Sequence, residues 1–426
     1  MRITLRYGEE TVSFDIPDKN LLGTLSPRRK SPVKDLVTKI LESLERPIGS
    51  PPLGRILKPG DRIAILVDDH TRTTPTREFL PPLLGYLREH QVKEENTVIV
   101  FACGTHKGLE KMGDKIRLLG REVIQNYRTV VHGCDTDNVY IGETSRSTPI
   151  YVNRWVYEAD RVIATGNIDL HYFAGYGGGR KSILPGVCSR ETIMRNHSLM
   201  MSPQARTGNL EGNPVHLDMM EAAERVGVDF LLNVVCDGGN NIVDLLAGDW
   251  REAFHQGIGS VDEIYKIPIN EKADVVFLSP GGYPYDINLF LSFRAIEHAL
   301  NAVRKGGTLV CWAECRQGAG NETYRRWMEE FSAGEIDTRK LQERLNQKFE
   351  LGGYKTLFHY KALDTCEIYL RSSMKDDEIR KVYKLKPFED FEAVLQEIKD
   401  RYGPDFKSYV LPNGVLTLPL CESSTS

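Results

Sequence analysis

The sequence has no excess of charge of one sign: 55 basic residues stand against 59 acidic ones, a formal net charge of −4 at pH 7. So even a balance leaves no global basic field to hold nucleic acid and no strong acidic bias. Cysteine is sparse, eight in 426 residues, and Cys311 and Cys315 make the one close pair, with no second pair to complete a zinc ribbon. Several others lie in apolar strand-like runs, as in Val98-Ile-Val-Phe-Ala-Cys103, which predicts reduced core thiols in place of a disulfide framework. Uninterrupted apolar stretches long enough to span a bilayer are missing. The opening Met1-Arg-Ile-Thr-Leu-Arg-Tyr-Gly8 turns polar at once, without the apolar core of a signal peptide. A cytoplasmic protein, binding neither nucleic acid nor membrane, is the expectation. Internal repeats and low-complexity tracts are also lacking.

What is present is globular: 41% hydrophobic and 27% charged residues in a chain long enough for two or three domains. Ile3, Leu5, Val12, Phe14 and Ile16 alternate about Tyr7-Gly8-Glu9-Glu10, a β-hairpin pattern. From about residue 60 a strand–loop–helix plan repeats. Arg62–Asp68, Thr97–Cys103, Arg161–Thr165 and Phe230–Val235 are unbroken apolar runs. After the first, Thr74-Pro75 reads as N-cap and first helical residue of a helix to about His90. A second series begins with Ala273–Leu278, followed by a helix over 288–305, a strand Gly307–Trp312 and another, Thr356–Tyr360, with amphipathic surface helices in 321–350. Continuous Val/Ile runs alternating with helices indicate parallel sheets covered on both faces. The expected fold is α/β: two α/β domains with mostly parallel sheets around an interdomain cleft. Residues 1–268 form the first domain and 269–404 the second, with 405–426 packing back on the first.

In open parallel sheets ligands bind beyond the carboxyl ends of the strands, and the unusual residues cluster there. Asp68-Asp69-His70-Thr71-Arg72 follows the first strand, Gly104-Thr105-His106-Lys107 the second, and Gly166-Asn167-Ile168-Asp169-Leu170-His171 the third. One such loop is an ordinary capping or surface feature. Three from successive strands are the convergent polar groups expected of an active site. The run Gly175-Tyr-Gly-Gly-Gly-Arg-Lys181-Ser182 is not a phosphate loop of the Walker type, because Arg180 stands where glycine must precede Lys-Ser. It leaves backbone N–H groups and two cations able to approach a phosphate or a planar cofactor.

Together, Asp-Asp-x-Thr-Arg, Gly-Thr-His, Asp-x-His-x-Phe-x-Gly-Tyr-x-Gly-Gly-x-Lys-Ser and the later His197 resemble the nickel-pincer lactate racemase family, in order and over most of the chain. That resemblance implies two α/β domains around a cleft. It also implies a nickel pincer nucleotide, a pyridinium-3-thioamide-5-thiocarboxylate mononucleotide, attached covalently through Lys181 and built by separate cofactor-assembly enzymes. His197 would complete the square-planar metal site, a geometry that suits nickel. His106 and His171 would be the paired acid/base residues. Asp69, Thr71, Arg72, Gly177, Gly178 and Ser182 would contact the cofactor, and Arg72 the substrate as well. The implied reaction is racemisation or epimerisation of a 2-hydroxy acid, with hydride leaving C2 and returning to the opposite face.

The substrate segment departs from the family. Lactate racemases have tyrosine, glutamine and lysine where this chain has Phe290, Leu291 and Arg294. Arg294 retains a cation for a carboxylate. Phe290 and Leu291 make a less polar wall, which predicts a substrate less polar than lactate or different from it. The family's cleft-lining aromatic is expected within Phe349 to Tyr354. Two rival readings compete: a zinc hydrolase using His106, His171 and His197 as ligands, and a non-catalytic protein that holds the cofactor.

Overall fold

The structure, a computed structural model, describes residues 1–421 except Lys107, Gly108, Glu110, Lys348 and Leu351. Lys107 of the loop after the second strand, part of the Phe349–Tyr354 window and the end of the 405–426 segment therefore lie outside the described residues. The chain forms two compact units, Arg29–Glu263 and a second built from Met1–Arg28 with Ile264 onward.

The Arg29–Glu263 unit holds a six-stranded sheet in the order Ile242–Gly248, Phe230–Cys236, Arg161–Asn167, Ile63–Val67, Thr97–Phe101, Arg128–Val131. The first pair is antiparallel and every other pair parallel. Its central strands are buried along almost their whole length. That is why they read as unbroken apolar runs, with no alternation. The helix Thr76–Glu89 has Pro75 as its N-cap, one residue later than expected. The Thr74 hydroxyl donates instead to Asp68 Oδ2 at 2.5 Å, tying the loop to the strand end.

The other unit carries a six-stranded, wholly parallel sheet, ordered Lys386–Pro387, Glu367–Arg371, Val303–Trp312, Ala273–Leu278, Ser408–Leu411, Leu21–Thr24. The expected assignment of 1–268 to one domain is corrected here, because Leu21–Thr24 adds to the edge of this second sheet. The antiparallel hairpin Arg2–Tyr7 and Glu10–Asp15 forms as expected but also packs here, with Phe14 stacked on Trp312 at 4.5 Å. The 405–426 segment does not return to the first domain either. Ser408–Leu411 is an interior strand of the second sheet, and Leu418–Cys421 pairs with Lys266–Ile269.

Thr356–Tyr360 is helical, within Tyr354–Thr365. That helix buries Tyr354, Lys355, Thr356, Leu357, His359 and Ala362 around much of its circumference. It thus shows no amphipathic period, and five of its residues pass for a strand. The helix expected over 288–305 ends at Ala299, where the chain turns into the strand Val303–Trp312. Helices Glu322–Ser332 and Thr338–Gln347 fill the amphipathic stretch, the first burying Tyr324, Trp327 and Met328. All eight cysteines are free thiols, Cys311 and Cys315 among the buried ones. Among the described residues no helix is long and apolar enough to cross a membrane.

Candidate active site

Strand order in the Arg29–Glu263 sheet reverses between Ile63–Val67 and Arg161–Asn167: the strands between them in sequence lie on one side, the later strands on the other. The crevice beyond the carboxyl ends of that pair is where a doubly wound sheet takes its ligand. Asp68 and Asp69 leave one strand there, Ile168 to His171 the other.

Asp69 is 3% exposed. Its Oδ1 accepts the Thr71 N–H at 2.9 Å and the Thr71 hydroxyl at 2.6 Å, and its Oδ2 takes the His106 Nδ1–H at 2.7 Å. Burial alone would push this carboxyl up; the bonds from His106 and Thr71 outweigh it and hold it below the usual carboxylate range. A carboxylate can only accept, so the neutral His106 ring carries its proton on Nδ1 and turns a lone pair outward at Nε2. His106 keeps 43% of its side-chain surface exposed, and Thr71 and Arg72 are exposed beside it.

The Leu170–His171 strand pairs with Gly175–Tyr176, and the chain continues into a 3-10 turn over Gly179–Ser182. The glycines serve packing more than an open anion cradle. A Cβ at Gly177 would fall 1.9 Å from Asp169 Oδ1, and one at Gly178, where φ is +69°, 2.9 Å from Asn167 O and Asn233 Oδ1. The Gly177 and Gly179 N–H groups are already bonded to Asp169 O and Asn233 Oδ1. The expected run of anion-seeking N–H groups is to that extent not available. Ser182, expected at the cofactor, spends its hydroxyl on Thr165 O at 3.0 Å. Arg180, fully buried, ties the turn from within, donating to Ala174 O at 2.7 Å and Tyr176 O at 2.8 Å with its guanidinium 4.6 Å from the centre of the Phe254 ring.

Phe173 gathers the remaining groups. Its ring lies 4.6 Å from His171, 4.9 Å from His197 and 5.7 Å from Lys181 Nζ. Lys181 is 8% exposed, and among the described residues its ammonium has neither hydrogen bond nor ion pair. Burial, then the charges of Arg72 and Arg180, push that amine well below the usual lysine range. His197 is lowered to about 3 by burial and by the Lys181 and His106 charges, so it is neutral at pH 7. His171 Nδ1 accepts the Ala174 N–H at 3.3 Å, which puts the proton of the neutral ring on Nε2. The two candidate acid/base rings are thus held in opposite tautomers.

Phe290, Leu291 and Arg294 stand in the other unit, on the helix Leu289–Ala299 capped by Asn288. Phe290 is half-buried, edge-on to Tyr324 at 5.9 Å and Tyr354 at 6.3 Å. Tyr354, from the window expected to hold the cleft aromatic, is stacked on Phe349. Leu291 is 47% exposed and Arg294 half-buried. Phe173, Arg180 and Asn233 hold structural places that the sequence reading did not give them, Arg180 having been expected only as one of two cations facing an anion, whereas its guanidinium is spent on backbone carbonyls. The only signal for the first two was their place inside the third motif; for Asn233, a lone polar residue in an apolar strand. Among the described residues no three His, Cys, Asp or Glu side chains are grouped as a metal would require, so the three-histidine zinc site is not assembled.

A switch-point crevice that gathers a carboxylate–imidazole pair, a second imidazole and a buried lysine defines an α/β enzyme of the acid–base class. Comparison with known proteins gives the family. Residues 7–208 match the lactate racemase N-terminal domain and 269–418 the lactate racemase C-terminal domain. Lactate racemase of Thermoanaerobacterium thermosaccharolyticum is 33% identical over 97% of this chain and 98% of its own. That of Lactiplantibacillus plantarum is 30% identical over the same shares. The apoprotein structure of the Thermoanaerobacterium enzyme superposes with a TM-score of 0.89 at 31% identity, covering 98% of this chain and all of that one. A Thermotoga maritima protein of known crystal structure, 18% identical with a TM-score of 0.67 over 92% of this chain and 99% of its own, shares the fold. The chain belongs to the lactate racemase family: it is an isomerase, a racemase of lactate-like hydroxy acids.

Proposed function

We propose that this racemase inverts C2 of a 2-hydroxy acid less polar than lactate or otherwise different from it, with a nickel pincer nucleotide tethered through Lys181. The observation that carries the reading is Lys181 itself. A buried ammonium without a counter-ion costs several kcal/mol, whereas a neutral amine engaged in an amide-type link costs far less. His197, neutral and on the same aromatic ring, is in the state a metal ligand needs. The residues present therefore fit the group. When bound, it supplies a hydride acceptor and donor for C2.

The chain's own residues move the proton. His106 Nε2 takes it from the 2-hydroxyl, and Asp69 stabilises the imidazolium that results. His171 presents Nε2–H to the substrate oxygen. To act as a full acid it takes up a proton at Nδ1, giving up the long contact with Ala174. Inversion in both directions requires both rings, and the rings are not equivalent: one has a carboxylate behind it, the other a backbone N–H. Arg72 and Arg294 are the cations assigned to the substrate carboxylate. Phe290 and Leu291, where the family has hydrogen-bonding groups, form the less polar wall. Loading of Lys181 depends on cofactor-assembly enzymes as partners.

The test is a panel of single-enantiomer 2-hydroxy acids deuterated at C2, given to protein co-produced with those enzymes. Inverted product that keeps its deuterium, with apolar side chains turned over faster than lactate, is the expected result. Loss of the label to solvent would contradict hydride return, and a preference for lactate would contradict the apolar wall.

A further inference from the structure

Resting on the assignment of His197 as the metal-binding histidine, we infer that Asn196, held by the buried carboxylate of Asp218, is the positioning residue that fixes the His197 tautomer. Both residues lie on the helix Arg190–Ser198, and both are buried, Asn196 completely. The Asn196 amide nitrogen reaches Asp218 Oδ2 at 2.9 Å and Val215 O at 3.2 Å. A carboxylate and a carbonyl only accept, so the atom facing them must be the NH₂ and the amide cannot be turned over. Its oxygen is thereby committed to His197, whose Nδ1 lies 3.2 Å away.

An amide oxygen cannot donate. His197 Nδ1 therefore carries the ring proton, and Nε2 keeps the lone pair a metal would take. Asp218 is itself fixed: it is fully buried and accepts the hydroxyls of Thr144 and, at 2.8 Å, Thr148. The relay from the Thr144–Thr148 turn through Asp218 and Asn196 to His197 joins the strand pair Asn138–Glu143 and Pro149–Asn153 to the helix Pro214–Val226. A packing role alone would be met by a leucine at 196.

The test is a long-range ¹H–¹⁵N spectrum of unloaded protein labelled on its histidine rings, with the His197 signals assigned by their loss in His197→Gln. Wild type should show Nδ1 protonated and Nε2 bare. In Asn196→Leu the His197 signals should move toward the Nε2–H form, and loaded protein should lose nickel to a chelator about 10- to 100-fold faster. An Nε2–H tautomer in wild type, or no change in Asn196→Leu, would overturn the inference; should that variant not fold, the wild-type spectrum decides alone. The assignment of His197 to the metal fails separately, if His197→Gln retains nickel as wild type does.

Discussion

Both units are built on a six-stranded sheet whose strand order reverses once, yet among the described residues one crevice carries exposed polar side chains and the other is bridged by backbone hydrogen bonds. In the Arg29–Glu263 unit the reversal exposes Thr71, Arg72 and part of His106. In the other unit the reversal lies between Ala273–Leu278 and Ser408–Leu411, and the chain closes it with its own backbone. There Ser279 N–H bonds Leu411 O at 3.0 Å, Gly414 N–H bonds Ser279 O at 2.8 Å, and Tyr283 N–H bonds Gly8 O of the hairpin at 2.8 Å. The same topology hosts a site or a seam depending on the loops at its strand ends.

The buried lysines repeat the contrast. Lys355 is 3% exposed and donates to Glu297 at 3.0 Å, a paired and therefore structural charge. Among the described residues Lys181 has no carboxylate within hydrogen-bond or ion-pair distance. The largest expected effects follow from this. Lys181→Ala should abolish cofactor attachment and activity with the denaturation midpoint nearly unchanged. Lys355→Met should leave attachment intact but destabilise by about 3–5 kcal/mol, because Glu297 is left unpaired. Peptide mass and urea denaturation of the two variants read both sides, and an exchange of phenotypes would break the comparison.

A second effect separates working from packed histidines. His106→Asn and His171→Asn should each cut racemisation by about 10²- to 10⁴-fold with nickel retained. His359, bonded to Tyr324 Oη at 2.6 Å and to Tyr383 O at 2.9 Å, should on conversion to Asn alter stability and leave turnover per folded molecule unchanged. Nickel loss from both catalytic variants would return the three-histidine metal site to consideration.

The third effect concerns acid. Burial lowers His132 to about 4 and His197, His216, His298 and His359 to about 3. Below the ordinary histidine pKa of 6.5 the unfolded chain binds protons that these folded rings refuse. Their contribution is therefore complete above pH 6.5 and is lost as pH falls toward 3, at about 1.4 kcal/mol per pH unit for each ring. His132, His197 and His216 lie in the Arg29–Glu263 unit and the other two outside it. Amides of Ile63–Val67 should thus lose hydrogen-exchange protection at higher pH than those of Ala273–Leu278; the reverse order would count against the argument.

Much of this was legible in the sequence where local chemistry decides structure. Strands buried on both faces announce themselves as Val/Ile runs; Asp69, His106 and His171 follow three of them within a few residues, and Lys181 stands in the 3-10 turn further on. What was hidden depends on distant partners. Leu21–Thr24 joins a sheet whose neighbouring strand, Ser408–Leu411, lies near the far end of the chain. The glycines of 177–179 are required by Asp169, Asn233 and Phe254, which no spacing rule connects to them. The bond from Asn196 to Asp218 crosses 22 residues and two helices, and an asparagine before a histidine carries no pattern of its own.

The central claim, that an unpaired buried lysine beside a neutral histidine marks a cofactor tether, is tested most directly by peptide mass and metal analysis of protein co-produced with the cofactor-assembly enzymes. The account predicts a nickel-dependent adduct on the peptide containing Lys181 and none on that containing Lys355. An unmodified Lys181 in protein that is fully active would contradict it.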